Sequence, residues 1–233
     1  MLDGRKILGL IPARAGSRGL PGKNIKILRG KSLIGWTIEA AKASRYLDDI
    51  VVSTDDKVIA GAAGSYGARV PFIRPPDLAT DGAKMIDVVI HCIDTLAESG
   101  SVYDVIVLLQ ASSPLRSAKD IDNAVELLFR KKAQAVVSVS IAQHSPQYIN
   151  TIGKDGSMKD FLKPEDMNRN RQELGEYYAL NGAIYAATVR HLKDTGSFVG
   201  AGTYAYVMPK DRSVDIDDES DFRMADALMG IKK

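Results

Sequence analysis

Ile7-Leu8-Gly9-Leu10-Ile11-Pro12 runs directly into Ala13-Arg14-Ala15-Gly16-Ser17-Arg18-Gly19-Leu20-Pro21-Gly22-Lys23-Asn24. The first run is apolar and too short for a helix, which predicts a buried strand. The second is a Gly-rich basic loop. Beyond it, Leu33, Ile34, Trp36, Ile38, Ala40 and Ala41 recur at helical spacing up to Ser44, with Ser32 as the N-cap. Ile50-Val51-Val52-Ser53 then reads as a second strand. Strand, loop, helix, strand is a βαβ unit, and it sets the fold class.

The rhythm continues outward. Residues 57–66 read as a helix stopped by Gly67, and 70–73 as a short strand. Met85, Ile86, Val89, Ile90, Ile93 and Leu96 predict a helix over 84–98. A strand over 104–109, a helix over 120–131 and a strand over 135–140 follow. The class is α/β, with a mainly parallel sheet and helices on both faces. Ligands of such sheets sit outside the C-terminal strand ends, so the loops after Ile11, Ser53 and Leu109 are the first places to look. After Ser140 the rhythm breaks. Residues 143–180 are polar and too long for an ordinary loop, yet Tyr148, Phe161, Leu162, Tyr177 and Tyr178 give them something to bury. They read as a lid, or as an arm onto a second subunit. Strand character returns at Asn181–Tyr185 and at Tyr204–Met208, and a last helix runs over 220–229. Residues 1–233 form a single domain with 143–180 inserted.

Composition narrows the function classes. The 233 residues hold 31 Lys+Arg and 29 Asp+Glu, a formal net charge of +2. That balance argues against a nucleic-acid coat or a membrane-surface protein. A single cysteine, Cys92, excludes a disulfide framework and a Cys-based zinc site. The three histidines are scattered, and no G-x-S-x-G elbow occurs. No apolar run approaches the ~20 residues of a membrane span. Ile7–Ile11 is too short for a signal peptide, so the expected location is the cytoplasm. Trp36, the helical methionines and Cys92 are expected in the core, the cysteine inert.

Charge is balanced overall but not locally. Arg5, Lys6, Arg14, Arg18, Lys23, Lys26, Arg29 and Lys31 crowd the N-terminus, and acidic residues crowd Asp211 to Asp226. A basic loop meeting an acidic one suits a polyphosphate with a divalent metal, with cations on the oxygens and carboxylates on the metal. In the loop, three glycines allow close backbone approach to an anion, and Arg14, Arg18 and Lys23 supply charge. It is not a Walker A loop, because Ser17 and Asn24 stand at the wrong places. On composition alone, phosphate binding and a mobile basic loop both stay open. In Ser213-Val214-Asp215-Ile216-Asp217, carboxylates at i and i+2 of an extended segment share a face and repel unless a cation lies between them. Asp218, Glu219 and Asp221 read instead as favouring the N-terminus of the last helix. Gln110 ends a strand in a polar loop and can hydrogen-bond a polar substrate or cap the loop.

These residues carry a resemblance. The Pro12–Asn24 loop resembles that of the CMP-sialic acid synthetases, or N-acylneuraminate cytidylyltransferases. Residues 51–56, 74–81, Leu108 to Arg116, Asn181 to Tyr185 and Ser213 to Asp217 match in order. The resemblance implies a Rossmann-like nucleotidyltransferase fold and a Mg2+-dependent reaction. In it, CTP and a nine-carbon 2-keto sugar acid give a CMP-sugar and pyrophosphate. It implies Arg14, Lys23 and Asp217 as catalytic residues. It implies Arg14, Arg18, Lys23, Asn24 and Arg74 around the nucleotide, and Gln110, Arg171, Asn181 and Tyr185 around the sugar. Asp215 and Asp217 would hold the metal. It also implies a homodimer, with the 143–180 arm reaching its partner. The chain departs from the sialic acid branch at Ala111-Ser112, Lys84-Met85, Tyr148 and Phe198-Val199. Those departures leave the legionaminate and pseudaminate branches open beside N-acetylneuraminate. CMP-KDO synthetase is the rival enzyme, and a non-catalytic nucleotide-binding module the rival class.

Overall fold

The computed structural model describes residues 2–17, 19–166, 170 and 173–231. β1 (Ile7–Pro12) leads through the basic loop to a small hairpin, β2 (Ile27–Leu28) and β3 (Lys31–Ser32), and then to α1 (Leu33–Lys42). Ser32 caps α1 by accepting the Gly35 amide at 3.2 Å. Next come β4 (Asp49–Ser53), α2 (Lys57–Ser65), α3 (Met85–Glu98), β5 (Val105–Leu108), α4 (Ala118–Arg130) and β6 (Ala135–Ile141). β7 (Tyr178–Thr188), α5 (Val189–Thr195), β8 (Thr203–Val207) and α6 (Glu219–Ile231) complete the chain.

One six-stranded sheet has the order β4-β1-β5-β7-β6-β8. β1 pairs parallel with β4 and β5, and β6 pairs parallel with β8; only β7 runs against its neighbours. Alternating side chains serve two cores. Ile7, Ile11, Val105 and Val107 meet α1, α2 and α4 on one face, while Leu8, Leu10, Ile106 and Leu108 meet α3 and α5 on the other. A third cluster, including Leu20, Leu28, Leu33, Leu115, Val214, Ile216 and Ala225, docks α6 and the 213–217 segment against the basic loop. That cluster brings the two ends of the chain together at the C-terminal edge of the sheet.

Three expectations change. Residues 70–73 form no strand: Arg69 makes an isolated parallel bridge to Val51 of β4 and Ile73 one to Thr54 just past it, and Pro71 between them has no amide to extend the ladder. Of the helical methionines among the described residues, Met229 packs against the third core cluster but two others are not core. Met85 starts α3 at 39% exposure and Met224 of α6 is 57% exposed, whereas the buried Met208 lies outside the helices. Trp36 is only partly buried, with its indole N–H on the Leu28 carbonyl at 2.8 Å. Among the described residues of 143–180 none is buried. The segment leaves the sheet as a continuation of the β6–β7 ribbon, at the Ile141–Tyr178 pair. Ile149, Ile152 and Met158 stand exposed on it.

Candidate active site

The register of β1 aligns Pro12 with Ser53 and Leu10 with Leu108, so the loops after β1, β4 and β5 open on one edge. There a cleft of about 440 Å³ is lined by residues that include Arg14, Lys23, Asn24, Arg74, Met85, Gln110, Ser112 and Asp217. A larger cavity of about 520 Å³ near Phe129 and Thr188 contains none of these groups.

Several elements tie down the basic loop. The Asn24 amide donates to the Arg14 carbonyl at 2.9 Å and closes the loop on itself. The Ala15 N–H donates to Asp55 Oδ1 at 3.0 Å. Arg14 pairs with Asp81 at 2.6 Å and donates to the Ala79 carbonyl at 3.3 Å. Lys23 Nζ donates to the Ile216 carbonyl at 2.5 Å and to Asp217 Oδ1 at 3.1 Å. A Cβ on Gly19 would collide with the Asp217 carbonyl, so glycine is what lets the two main chains cross here. Lys26–Glu219 at 2.9 Å and Arg29–Asp226 at 2.6 Å extend the contact between the basic and acidic segments. Asp218 and Asp221 bond amides at the start of α6, as a helix N-terminus favours.

Arg74 is only 3% exposed. It donates Nε to Ser53 Oγ at 3.0 Å and Nη2 to the Ser53 carbonyl. Burial lowers its pKa, Asp55 opposes that, and Arg14 adds to it. The nearby Cys92 thiol is pushed up to about 12 by burial, which keeps it a thiol at neutral pH.

The 213–217 segment forms no strand. Val214 and Ile216 enter the third core cluster, which turns Asp215 and Asp217 the other way. Asp215 is half-buried, and burial raises its pKa, an effect opposed by a hydrogen bond with Ser112 and reinforced by Asp217. Its Oδ1 is buried without a hydrogen-bond partner. Asp217 is exposed. Among the described residues, no group of three or more His, Cys, Asp or Glu forms a metal cluster. Any divalent ion here would therefore need ligand oxygens as well as these carboxylates.

A bulge in β7 comes up against Gln110 and Asp215. Between the pairs Val137–Tyr185 and Val139–Leu180, β7 carries more residues than β6. Gly182 lies in it at φ +70°, and a Cβ there would stand 2.6 Å from both Asp215 Oδ2 and Gln110 Oε1. Asn181 is buried and serves the framework: Ser138 Oγ donates to its Oδ1 at 2.6 Å, and its Nδ2 donates to Ser213 Oγ at 3.0 Å. Tyr185 packs edge-on against Phe198 at 5.5 Å, with its pKa raised by burial and then by Asp215. The fold thus brings Arg14, Lys23, Asn24, Arg74, Gln110 and Asp217 onto one cleft. Asp215, Tyr185 and Asn181 are not among its lining residues, although Asp215 meets Gln110 at Gly182. Arg18 and Arg171 lie outside the described residues. Asp55, Asp81, Ser53 and Gly182 were not singled out as site residues from sequence. Asp55 and Asp81 lay inside the matching segments, but nothing in spacing shows that they grip the basic loop.

Residues 8–193 match a family described as Cytidylyltransferase. The chain belongs to the cytidylyltransferase family. The family match takes in the basic loop, Arg74, Gln110 and β7, and ends before Asp215 and Asp217. A CMP-N,N'-diacetyllegionaminic acid synthase of Legionella pneumophila is 39% identical, with 98% of each chain covered. An N-acylneuraminate cytidylyltransferase of Escherichia coli is 38% identical over 94% of this chain, which spans about half (51%) of that relative. A CMP-2-keto-3-deoxy-manno-octonic acid synthetase solved in complex with CTP shares the cytidylyltransferase fold. Its TM-score is 0.70 at 18% identity, covering 98% of this chain and 100% of that one. No helix among the described residues is long and apolar enough to cross a membrane.

Proposed function

We propose that this cytidylyltransferase transfers CMP from CTP to the anomeric hydroxyl of a nonulosonic acid, with release of pyrophosphate. The observation that carries the reading is the meeting of Arg14, Lys23 and Arg74 with Asp215 and Asp217 around one cleft at the C-terminal strand ends. Phosphoryl-type transfer asks for positioning and charge neutralisation more than covalent catalysis. Arg14 and Lys23 bind phosphate oxygens, Arg18 joins them from the same loop, and Asn24 and Arg74 hold the nucleotide. Arg14 rests on Asp81 and Lys23 on Asp217, contacts that hold both cations oriented at the cleft. The hydroxyl oxygen attacks the α-phosphorus and gives up its proton to solvent, the bond to the bridging oxygen breaks, and pyrophosphate leaves with the electron pair.

The carboxylates fit Mg2+: Asp215 offers a buried oxygen with no other partner, and Asp217 an exposed one. Asp215 and Asp217 would hold the ion, which when bound neutralises phosphate charge and lowers the pKa of a coordinated hydroxyl. Gln110 and Tyr185 face the sugar acid, Asn181 holds the strand that carries Tyr185, and an Arg171 fork suits the sugar's carboxylate. The Legionella relative, matched along its whole length, favours a legionaminate-type acid. The exposed Ile149, Ile152 and Met158 support an arm that packs on a second copy, giving a homodimer. A reaction that consumes CTP belongs in the cytoplasm. The test is pyrophosphate release with CTP and Mg2+ against legionaminate, pseudaminate, N-acetylneuraminate and KDO. Release with a nine-carbon acid supports the reading. Release with KDO alone, or CTP binding with no release across the panel, refutes it.

A further inference from the structure

Arg116 closes the Leu108–Arg116 stretch, from which the proposed reaction uses only Gln110. Its side chain is 3% exposed. Nη1 donates to two carbonyls, Gln110 at 3.1 Å and Ala183 at 2.8 Å. Nε and Nη2 are buried with no hydrogen-bond partner. A buried guanidinium with idle donors is poor value for stability, since an apolar residue of similar volume often does as well or better. Its presence calls for another reason.

The two carbonyls supply one. Gln110 belongs to the loop after β5, and Ala183 follows Gly182 in the β7 bulge. The β5–β7 ladder ends at the Leu108–Tyr185 pair, so no sheet pairing fixes Gln110 against Gly182. Arg116 ties the two segments where the ladder has stopped. Directly above that tie lies the notch at Gly182, where Gln110 Oε1 and Asp215 Oδ2 converge to 2.6 Å from the same point. That point is the place of a Gly182 Cβ and is too crowded for a ligand atom, so the junction acts by fixing Gln110, which lines the cleft where a polyhydroxylated ligand would donate to it.

We infer that Arg116 is a positioning residue that sets this junction for the sugar acid, acting through the main chains of Gln110 and Ala183. The inference rests on the functional reading above. Arg116 touches neither substrate, so its effect falls on one substrate and spares the other. The cations of the nucleotide side are held by Asp81, Ser53 and Asp217 and the Ala15 amide by Asp55, none of which Arg116 bonds.

Arg116→Met tests this, because it keeps volume and removes the buried charge, so the fold survives. The Kd for CTP, measured without sugar acid, stays within about twofold, while the KM for the sugar acid rises about tenfold or more, as misplacement of a binding group demands. Arg116→Lys, with one ammonium able to reach both carbonyls, recovers part of that loss. Leu128→Ala, a cavity variant in α4 remote from the cleft, lowers Tm and leaves both constants in place; it reports what destabilisation alone does. A sugar-acid KM within twofold of wild type in Arg116→Met, or a parallel rise in the CTP Kd, overturns the inference. A wild-type protein that binds CTP but turns over no sugar acid overturns the functional reading, and this inference with it, and is told apart because it appears without any substitution.

Discussion

Replacing Gly182 by alanine adds one methyl group where Asp215 and Gln110 already crowd the β7 bulge. The new Cβ would stand 2.6 Å from Asp215 Oδ2, 2.6 Å from Gln110 Oε1 and 3.3 Å from Asp215 Cγ. Ordinary carbon–oxygen contact needs about 3.4 Å or more, so both polar groups must retreat by roughly 0.8 Å, in different directions. The backbone adds a cost of its own, since φ +70° is left-handed and costs an L-residue about 1–2 kcal/mol. Thermal unfolding should register that term as a drop of roughly 2–8 °C, at about 2–4 °C per kcal/mol for a chain of this size. Turnover should fall much further, about 100-fold, because a displacement near 1 Å at a reacting site has that effect. Pyrophosphate release at saturating CTP measures the second quantity and a melting curve the first. Gly64→Ala is the control: it lies inside α2 with nothing within 4 Å of its Cβ, so it should stabilise by about 0.5–1 kcal/mol with activity unchanged. Turnover within threefold of wild type in Gly182→Ala would refute the reasoning, because the notch would then lie outside the reaction.

Asp217→Asn should abolish turnover while calorimetry still detects CTP binding; full activity would remove Asp217 from the metal assignment. Asp120 is buried against Arg212, with both guanidinium contacts at 2.9 Å, and the hydrogen bonds from Arg212 and Ser117 outweigh burial and lower its pKa. A carboxylate whose folded pKa is depressed adds stability above its unfolded pKa and loses it as pH falls through the folded one. Asp120→Asn should therefore cost about 3–5 kcal/mol at pH 7 by breaking a buried pair, and the gap to wild type in urea titrations should narrow as the solution is acidified below the ordinary carboxylate range. A gap independent of pH would show that the charge is not what matters. Cys92, with its thiol pushed up to about 12, should resist alkylation in the native protein at pH 8 and react on unfolding, as mass spectrometry would register.

What the sequence could reveal follows the range of the forces involved. Apolar periodicity is a local quantity, and it located nearly every helix and strand because each element must bury one face whatever its neighbours do. It failed at 70–73, where the apolar residues after α2 lie between two isolated bridges but Pro71 interrupts the pairing. It also failed for Met85, whose place at the start of α3 points it to the cleft rather than the core. The concentration of cations before Lys31 and of carboxylates after Asp211 was likewise legible, and so was the alternation that turns Asp215 and Asp217 together. The sequence by itself therefore determined the α/β class, the basic loop, the acidic pair and the family resemblance. Only the tertiary structure decided that Lys23 meets Asp217, 194 positions away, through a cluster that docks both chain ends. It alone reversed β7, bulged it at Gly182, drew Asn181 into the framework, and left Arg116 buried between two carbonyls. Those outcomes depend on which segments become neighbours when the sheet closes, and no spacing along the chain encodes a contact between residues that only folding brings together.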